Sequence, residues 1–486
     1  MKGARILLGG VPVADRWDGS DQIAAADITI PWGRKGLYDQ GDAATLTMRL
    51  IDRVGDFVPA PGFSSSQPVT IETVAPAITV FRGTITQATA ARTRMVSPLT
   101  GEPETVWVVT ITAADPLADL GGAALLGDVV MDVYPGRGGW SAASPTARIA
   151  RILAAGAKNI VASIAAPPAP PAPITPVLAP QDSSSTPSAL DMIRSAYKTF
   201  PLCIPVYDPV SHSVTPSQPV SSSQLALTLI GDRIGMAATT ALVLRADQVD
   251  LPGPATVTAS LQSALDAVQV AYVQADSDAD TSPKTATIEA TTTAAKTSAT
   301  HRVIKADTDL YTLTSGATSQ QNGAPAWYLT TLTKTVEAIN TQSAPGQIVI
   351  DTERATLSLA EITALLTPVP SAVPLYILGS LYNATPNTGP QFQIVGGTLT
   401  HDVSGWKHTL TLAPAIPSTL SPITLADLKT TRLSDFRLSD YPSSVTLGNY
   451  DPTVTLGALR DAQHTLADFD PLMTLADLSY LSKGLT

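Results

Sequence analysis

The sequence predicts a mainly β, multidomain protein with a smaller α/β part, and three observations support this fold class. The chain has 486 residues, which is too long for one ordinary domain. Short runs of alternating or continuous apolar residues, bounded by Gly, Pro and Asp, recur along it and are typical of strands. The composition agrees, because 44% hydrophobic residues suffice for buried cores while 40 Pro and 32 Gly favour turns.

Residues 1–120 are predicted to form a small closed β-barrel or a sandwich. Their strand-like stretches are DITI, ATLTMRLID, PVTIETV, AITVFRGTIT and VWVVTITAADP. After the first of them, Trp32 has the apolar area to cover an open barrel end and Gly33 permits a tight corner. We expect Arg34 to pair with Asp39 or Asp52 across the hairpin.

Residues 121–245 are predicted to form a mixed α/β domain with a proline-rich arm at residues 167–180. SPTARIARILAAG and STPSALDMIRSAYKTF space their apolar residues on one helical face, and LCIPVYDPVSHSVTP indicates a hairpin. Proline lacks the amide donor and fixes φ, so the arm is neither a helix nor a central strand. The single cysteine, Cys203, has apolar neighbours and is predicted to be a small buried thiol.

A second β-rich region covers residues 246–375 and is predicted to be barrel-like. AVQVAYVQA, TATIEATT, HRVIKAD and GQIVID indicate strands, and AWYLTTLTKTVEAINT indicates a helix. Residues 376–414 then form a predicted closing β-hairpin domain that turns at Ser404–Gly405. Two β-rich blocks therefore flank the mixed block.

Residues 415–486 are repetitive and share the form x-x-Leu-small-x-apolar. Each unit carries too little apolar surface to fold alone, so we expect the repeats to dock on this chain, on copies of it or on another protein. A frayed tail with chance similarity is the alternative, but such a tail would not space apolar residues so regularly. The repeat leucines are Leu425, Leu433, Leu438, Leu447, Leu456, Leu466 and Leu475.

Charge and chemistry exclude several function classes. The net charge of −11 and the absence of any Lys or Arg cluster argue against specific nucleic-acid binding. No apolar stretch approaches the length of a membrane span, and the N-terminus does not resemble a signal peptide, so we expect synthesis in the cytoplasm.

No catalytic, cofactor or metal site is predicted. The sequence contains no H-E-x-x-H, G-x-S-x-G or phosphate-binding glycine motif. Asp276, Asp278 and Asp280 resemble the start of a calcium loop but lack its glycine and later glutamate. His401 and His408 share one predicted hairpin and are expected on its surface, because no third ligand accompanies them.

Several motifs, in order, resemble those of minor tail proteins of long-tailed (siphovirus) actinobacterial phages. WGRKGLYDQGDAATLTMRLID, from Trp32 to Asp52, is similar to the N-terminal signature of that family. VFRGTITQATA, VTITAADPLADLGG, SALDMIRSAYKTF and IVGGTLTHDVSGWKHTLTLAP are similar to later family segments. Gly41 stands where a proline often occurs in the family, and the proline-rich arm lies outside the family pattern.

This resemblance implies a structural protein of the virion, the baseplate or tail-tip hub, and no enzyme. Such a protein would be a homotrimer whose two barrel domains per subunit form a pseudo-sixfold ring around the DNA ejection channel. Its implied partners are a distal tail protein ring above and a central fibre or receptor-binding tip proteins below, with the tape measure protein as a further candidate. Trp32, Gly33 and Arg34 would shape a barrel corner, and the repeat leucines would dock the tip partner.

Two other functions stay open at this point. The first is a tail-associated enzyme that degrades cell wall or surface glycan, although the sequence shows no catalytic constellation. The second is a receptor-binding adhesin, since β-rich chains with many Thr and Ser are common in that class. Activity against host cell walls and binding to host cells would distinguish them from a hub.

Overall fold

The computed structural model describes most of the chain before residue 417. The described residues are 3–58, 67–125, 127, 139–181, 187–220, 242–245, 265–277, 283–292, 302–314, 319–340, 347–352, 357, 359–371, 375–378 and 392–416. The seven repeat leucines lie outside them. The chain divides into two compact units, the first of which comprises Met1–Pro219, Asp247–Ala372 and Gln393–Ala413. The second unit comprises Val220–Ala246, Val373–Phe392 and Pro414–Thr486.

Strands outnumber helices in the described part of the chain. The strands are β1 (Ala4–Leu8), β2 (Val11–Val13), β3 (Ile23–Gly33), β4 (Thr45–Asp52), β5 (Pro68–Thr73), β6 (Thr79–Val96), β7 (Pro103–Ala114), β8 (Ser163–Ile164), β9 (Ile204–Asp208), β10 (Ser213–Ser217), β11 (Leu242–Arg245), β12 (Ala267–Ala275), β13 (Lys284–Thr291), β14 (Val303–Leu313), β15 (Gln347–Asp351), β16 (Leu375–Leu378), β17 (Phe392–Asp402) and β18 (Gly405–Pro414). The helices are α1 (Pro116–Gly122), α2 (Pro145–Ala154), α3 (Ala189–Tyr197), α4 (Ser319–Asn322), α5 (Ala324–Asn340) and α6 (Leu359–Leu366), with a 3₁₀ turn at Ala157–Asn159. The predicted mainly β, multidomain fold is confirmed.

A large antiparallel sheet dominates the first unit. Its described strands follow the order β15-β18-β17-β3-β4-β7-β6-β5-β1-β2. Period-2 alternation places one face of these strands in the core, as in β4, whose burial alternates along its first six residues. The fully buried members of that core include Ile6, Leu8, Ile28, Ile30, Leu46, Met48, Val69, Ile71, Ile111 and Trp406.

Strand ladders do not close this sheet into a barrel within the described ranges. The three-residue β2 pairs with β1 and reaches β3 only through an isolated bridge between Ala14 and Ala24. There the amide of Ala25 donates to the carbonyl of Ala14 at 2.8 Å. The closed barrel expected for residues 1–120 is therefore replaced by a curled sheet whose ends meet at one bridge, because β2 is too short to form a second ladder.

Described residues between 116 and 217 form the helices α1, α2 and α3 and a small sheet of order β8-β10-β9, mostly within the predicted mixed block. The two predicted helices are present as α2 and α3, and Ser144 and Ser188 are their N-caps, whose side chains accept amide hydrogen bonds. Pro145 follows at the first helical position of α2, where its missing donor costs nothing. Their apolar faces pack in one core with Leu120, Trp140, Leu178 and Val214.

A third sheet of order β13-β12-β14 lies within residues 265–314. One face of it packs against α5 through Val268, Val270 and Leu310. The described strands of the predicted second barrel thus form an open three-stranded sheet, because a helix covers one face. The remaining strand of that region, β15, pairs with β18 in the large sheet instead.

The end of the proline-rich arm lies between the α/β block and the sheet β13-β12-β14 of the first unit and pairs with both. Leu178 is fully buried and pairs with Ala143 on one side and Leu310 on the other. The amide of Ala179 donates to the carbonyl of Asp309 at 2.8 Å. The end of the arm therefore joins the α/β block to the β14 edge by backbone hydrogen bonds, whereas residues 171–174 of the arm form a turn in which the amide of Ile174 donates to the carbonyl of Pro171.

In the described part of the second unit, β11 and β16 pair in parallel from Leu242–Leu375 to Arg245–Leu378. Leu375 also pairs with Phe392, and the amide of Ile416 donates to the carbonyl of Val220 at 2.9 Å. Among all helices of the described chain, none combines the length and hydrophobicity that a membrane crossing would need.

Candidate functional site

The site that the sequence singles out lies where the end of β3 meets the middle of β17, and we call it the tryptophan corner. It comprises Trp32, Gly33, Arg34, Gly396 and His408. Gly33 pairs with Gly396 in the antiparallel ladder, so residues from the two ends of the first unit's sequence lie side by side.

Glycine is required at this crossing because the two backbones approach closely. A Cβ at Gly33 would lie 2.5 Å from the Cα of Gly396, and one at Gly396 would lie 2.6 Å from the carbonyl oxygen of Arg34. Gly33 also has φ of +76°, a left-handed conformation that strains other residues. The prediction that Gly33 permits a corner agrees with this geometry.

The indole of Trp32 is buried and bound to a histidine that the sequence pattern predicts on the surface. Trp32 Nε1 donates to His408 Nε2 at 2.9 Å, and the two ring centroids lie 5.6 Å apart. Because Nε2 accepts this bond, the ring hydrogen of neutral His408 is assigned to Nδ1, which donates to the carbonyl of Leu365. One imidazole therefore links β3, β18 and α6.

Burial keeps His408 neutral. The side chain is fully buried, and this desolvation lowers the pKa of His408 to about 4, although the hydrogen bond to Leu365 opposes the shift. At neutral pH the ring is thus a hydrogen-bond acceptor for Trp32 rather than a cation.

The expected surface position of His401 and His408 is wrong, since both are buried. His401 packs with its ring centroid 4.7 Å from that of Trp406. A signal for His408 existed in the sequence, because it alternates in phase with Trp406, Leu410 and Leu412, which face the interior. Helix α6, whose Leu365 carbonyl bonds His408, lies 43 residues away in sequence and leaves no local signal.

Arg34 is buried and bound to backbone carbonyls. Its residue exposure is 3%, and Nη1 donates to the carbonyl of Leu37 at 2.8 Å and to that of Leu202 at 3.2 Å. Burial lowers the pKa of Arg34 to about 10, with Cys203 and Asp39 opposing the shift. The guanidinium therefore stays charged at neutral pH.

The expected pairing of Arg34 with Asp39 or Asp52 does not form in the described chain. The fully buried carboxylate of Asp52 instead accepts the amides of Val54, Gly55 and Phe57 at 2.6–3.1 Å. These local bonds hold the Asp52 carboxylate within its own loop.

The remaining candidate groups are the single cysteine and possible clusters of metal-ligating side chains. Cys203 is a buried free thiol, as predicted, and burial raises its pKa to about 12, which suppresses thiolate reactivity. Across the residues that the structure describes, no group of three or more His, Cys, Asp or Glu side chains is placed to hold a metal ion. The tryptophan corner is thus a hydrogen-bonded junction of β3, β18 and α6.

Comparison with known proteins gave matches among solved structures alone. No protein-family model matches the sequence, and no curated protein matches it. The chain is similar to the 43 kDa tail protein of prophage MuSo2 from Shewanella oneidensis, with a TM-score of 0.47 and 10% identity over 85% of this chain and 98% of that one.

Two further similar structures have related descriptions. Prophage tail protein gp18 from Listeria monocytogenes gives a TM-score of 0.40 at 8% identity, over 84% of this chain and 94% of that one. An E. coli component of the type VI secretion system is described as similar to the T4 tail proteins gp27 and gp5. It gives a TM-score of 0.43 at 9% identity, over 86% of this chain and 81% of that one. Similarity at this level assigns neither a family nor an activity to the chain.

Proposed function

We propose that this chain is a structural component of a phage tail, located at the tail tip as a baseplate-hub protein. Three copies would form a ring that joins the sixfold tail tube to threefold tip or fibre components around the DNA ejection channel. The chain would then act through its surfaces and would carry no catalytic site.

One observation carries this proposal. The first and last segments of the tail-protein resemblance, around Trp32 and around His408, are 376 residues apart in sequence and form one hydrogen-bonded corner. Two short motifs that resembled the family only by chance would have no reason to lie in contact in the folded chain. Their direct pairing supports the view that the motifs belong to one fold shared with the tail proteins.

The finer assembly is part of the proposal. A distal tail protein ring would bind above the trimer, and a central fibre or receptor-binding protein would bind below it. The repeat leucines from Leu425 to Leu475 would dock that lower partner, since each repeat has apolar residues but too little surface to fold alone.

The test is the solution mass of the full chain by light scattering, with negative-stain averages of the same peak. We expect a threefold ring with a central hole. A matched chain that ends at Pro414 should keep the ring and lose binding to the tip partner, because the repeats are proposed to dock that partner and not to hold the trimer.

The other outcomes separate the alternatives. A ring that dissociates on truncation would assign the repeats to self-assembly. A monomer that binds host cells would replace the hub with an adhesin, and clearing of host cell walls in a zymogram would replace it with a wall-degrading enzyme.

A further inference from the structure

The outer half of β6 has one edge that pairs with no strand of the described chain. β5 pairs with β6 as far as Thr84, and the amide of Ile85 makes the last backbone bond on that side, to the carbonyl of Gln67 at 2.9 Å. β6 continues to Val96 and pairs over this length with β7 on its other side. We call residues 86–96 the free edge, because one side of their backbone lacks a described partner strand.

Alternate residues of the free edge direct their backbone groups outwards. Asp115, directly after β7, donates its amide to the carbonyl of Ala44 on the β4 side. Successive residues of a strand bond to opposite sides, so Thr110 bonds towards β6, where it pairs with Thr89. The residues that alternate with Thr89 therefore point away from β7. They are Ala88, Ala90, Arg92 and Arg94.

The free edge is exposed, and its hairpin is held in place. Arg53 pairs with Glu104 of β7 at 2.9 Å and donates to the carbonyl of Gly19 at 3.0 Å, beyond the last residue of β4. The guanidinium of Arg92 lies 5.8 Å from the ring centroid of Trp107 in the same hairpin. A fixed, exposed edge is a template for another strand, and little ordering entropy opposes its pairing.

The sequence of the free edge is complementary to itself when two copies run antiparallel about Ala91. Arg92 then lies opposite Ala90 of the partner subunit, and Arg94 lies opposite Ala88 of the partner subunit. Each long cationic side chain meets a small neutral one, so like charges are not directly opposed. On the other face of the strand, Thr89 lies opposite Thr93 of the partner subunit.

Other registers are less favourable. A two-fold axis at Arg92, Thr93 or Arg94 would place arginine directly opposite arginine, which is destabilising. An axis before Ala91 would bring the incoming strand against β5, which already occupies β6 up to Thr84. The axis at Ala91 thus uses the whole free edge and avoids both conflicts.

We propose that the free edge is a docking surface for a second copy of this chain, whose β6 adds to it as an antiparallel strand centred on Ala91. The outward-facing groups form about eight backbone hydrogen bonds between the copies. This contact is two-fold, so it differs from the threefold contacts of the proposed ring and joins two monomers or two rings.

Sedimentation of the full chain over a range of concentrations tests the contact. A single-strand contact is small, so we expect a dissociation constant of about 10–1,000 µM. The mass of the starting particle should double within this range, whether that particle is a monomer or a threefold ring. The starting mass therefore tests the proposed hub and the doubling tests the free edge, so each can fail without the other.

Charge variants of two exposed threonines test the register. Thr89→Glu combined with Thr93→Lys places opposite charges across the two-fold axis at two positions, and the double variant should associate about two- to thirtyfold more tightly. Thr89→Glu combined with Thr93→Glu opposes like charges and should weaken association by a similar factor. The control is Thr285→Glu combined with Thr287→Glu, which adds the same charge to exposed positions of β13 and should associate as the wild type does.

Hydrogen exchange locates the contact on the chain. Protection of the amides of residues 86–96 should rise with protein concentration, because the outward amides become bonded only in the doubled particle. Strong protection that does not vary with concentration would overturn the proposal, since the edge would then be covered within one copy. A mass that never doubles, or a doubling that both charge variants leave unchanged, would overturn it as well.

Discussion

At the scale of single residues, the hydrogen bond between Trp32 and His408 is the contact that most directly ties distant parts of the sequence together. It is buried, and each partner lies in a different strand of the large sheet. Removing the donor leaves an imidazole nitrogen without a partner in an apolar site, which costs more than the bond itself contributes.

Trp32→Phe is therefore expected to destabilise the first unit by at least about 1–3 kcal/mol, because the lost hydrogen bond adds to the lost packing of the buried indole. Chemical denaturation followed by circular dichroism measures this change. Trp107→Phe is the control, because that indole is only half-buried and packs beside Arg92. Equal losses in the two variants would mean that the Trp32 hydrogen bond contributes nothing specific.

The neutral state of His408 predicts a pH dependence. Its folded pKa of about 4 lies below the ordinary value of 6.5, so the folded state binds fewer protons between these values. The stability that neutral His408 provides is full above pH 6.5 and is lost as the pH falls towards 4, by up to about 3 kcal/mol.

Comparison with His408→Gln isolates this contribution, since glutamine does not titrate. The unfolding free energy of the wild type minus that of the variant should therefore decrease as the pH is lowered from 7 to 4. The comparison is necessary because burial raises the pKa of Asp115 to about 7, which gives a slope of the opposite sign in both proteins. Parallel curves would contradict the neutral, buried assignment of His408.

At the scale of elements, the contact of β3 with β17 depends on glycine. Gly33→Ala places a Cβ at 2.5 Å from the Cα of Gly396, which the two strands can relieve only by moving apart. Gly10→Ala is the matched control, because Gly10 has φ of +85° but open space around it.

We expect Gly10→Ala to cost about 1–2 kcal/mol from backbone strain alone, and Gly33→Ala to cost at least 1–3 kcal/mol more. Urea denaturation of both variants gives the difference. If the two costs are equal, the close approach of the strands is not a packing constraint.

Local sequence patterns predicted many of the helices and strands correctly. They did not predict which strands pair or which side chains of a strand are buried. The helices α2 and α3 were predictable because the amphipathic spacing of their apolar residues is a local signal. The hairpin of β17 and β18 was predictable from alternating apolar residues, although its turn lies at Val403–Ser404 and not at the predicted Ser404–Gly405. The partner of each strand is a long-range property, so neither the missing barrel ladder nor the burial of His408 followed from local spacing.

The candidate site was predictable to the same limited extent. Residue chemistry and the tail-protein resemblance both single out Trp32, Gly33 and Arg34, and Gly33 lies where two backbones approach closely. The bound partners, His408 for Trp32 and Leu202 for Arg34, lie 376 and 168 residues away in sequence and leave no local trace. Only the tertiary structure, which brings β3 next to β18 and to the loop before β9, reveals them.

At the scale of the whole molecule, the proline-rich arm connects the α/β block of the first unit to the sheet β13-β12-β14. Leu178 and Ala179 make the joining hydrogen bonds, and Arg148 Nη2 donates to the carbonyl of Ala179 at 3.1 Å. Because proline restricts the rest of the arm, little conformational entropy opposes this docking.

Ala179→Pro should weaken the junction, since it removes the amide that donates to Asp309. We expect a loss of about 1–3 kcal/mol and faster hydrogen exchange at the neighbouring amide of Tyr311, which donates to Val177. Ala169→Pro, at an exposed position of the same arm, should change neither quantity. Equal exchange in both variants would show that the arm does not hold the β14 edge.

The pairing of Gly33 with Gly396 also sets the order of events during synthesis. At about 5–20 residues per second, the ribosome needs roughly 20–70 s to make the chain between these two glycines. Throughout that time one edge of β3 has no β17 to pair with, and an unpaired edge invites association with other chains. Nascent copies on one messenger RNA are then held close together with matching open edges, so slow translation or crowded polysomes should favour misassembly before the first unit is complete.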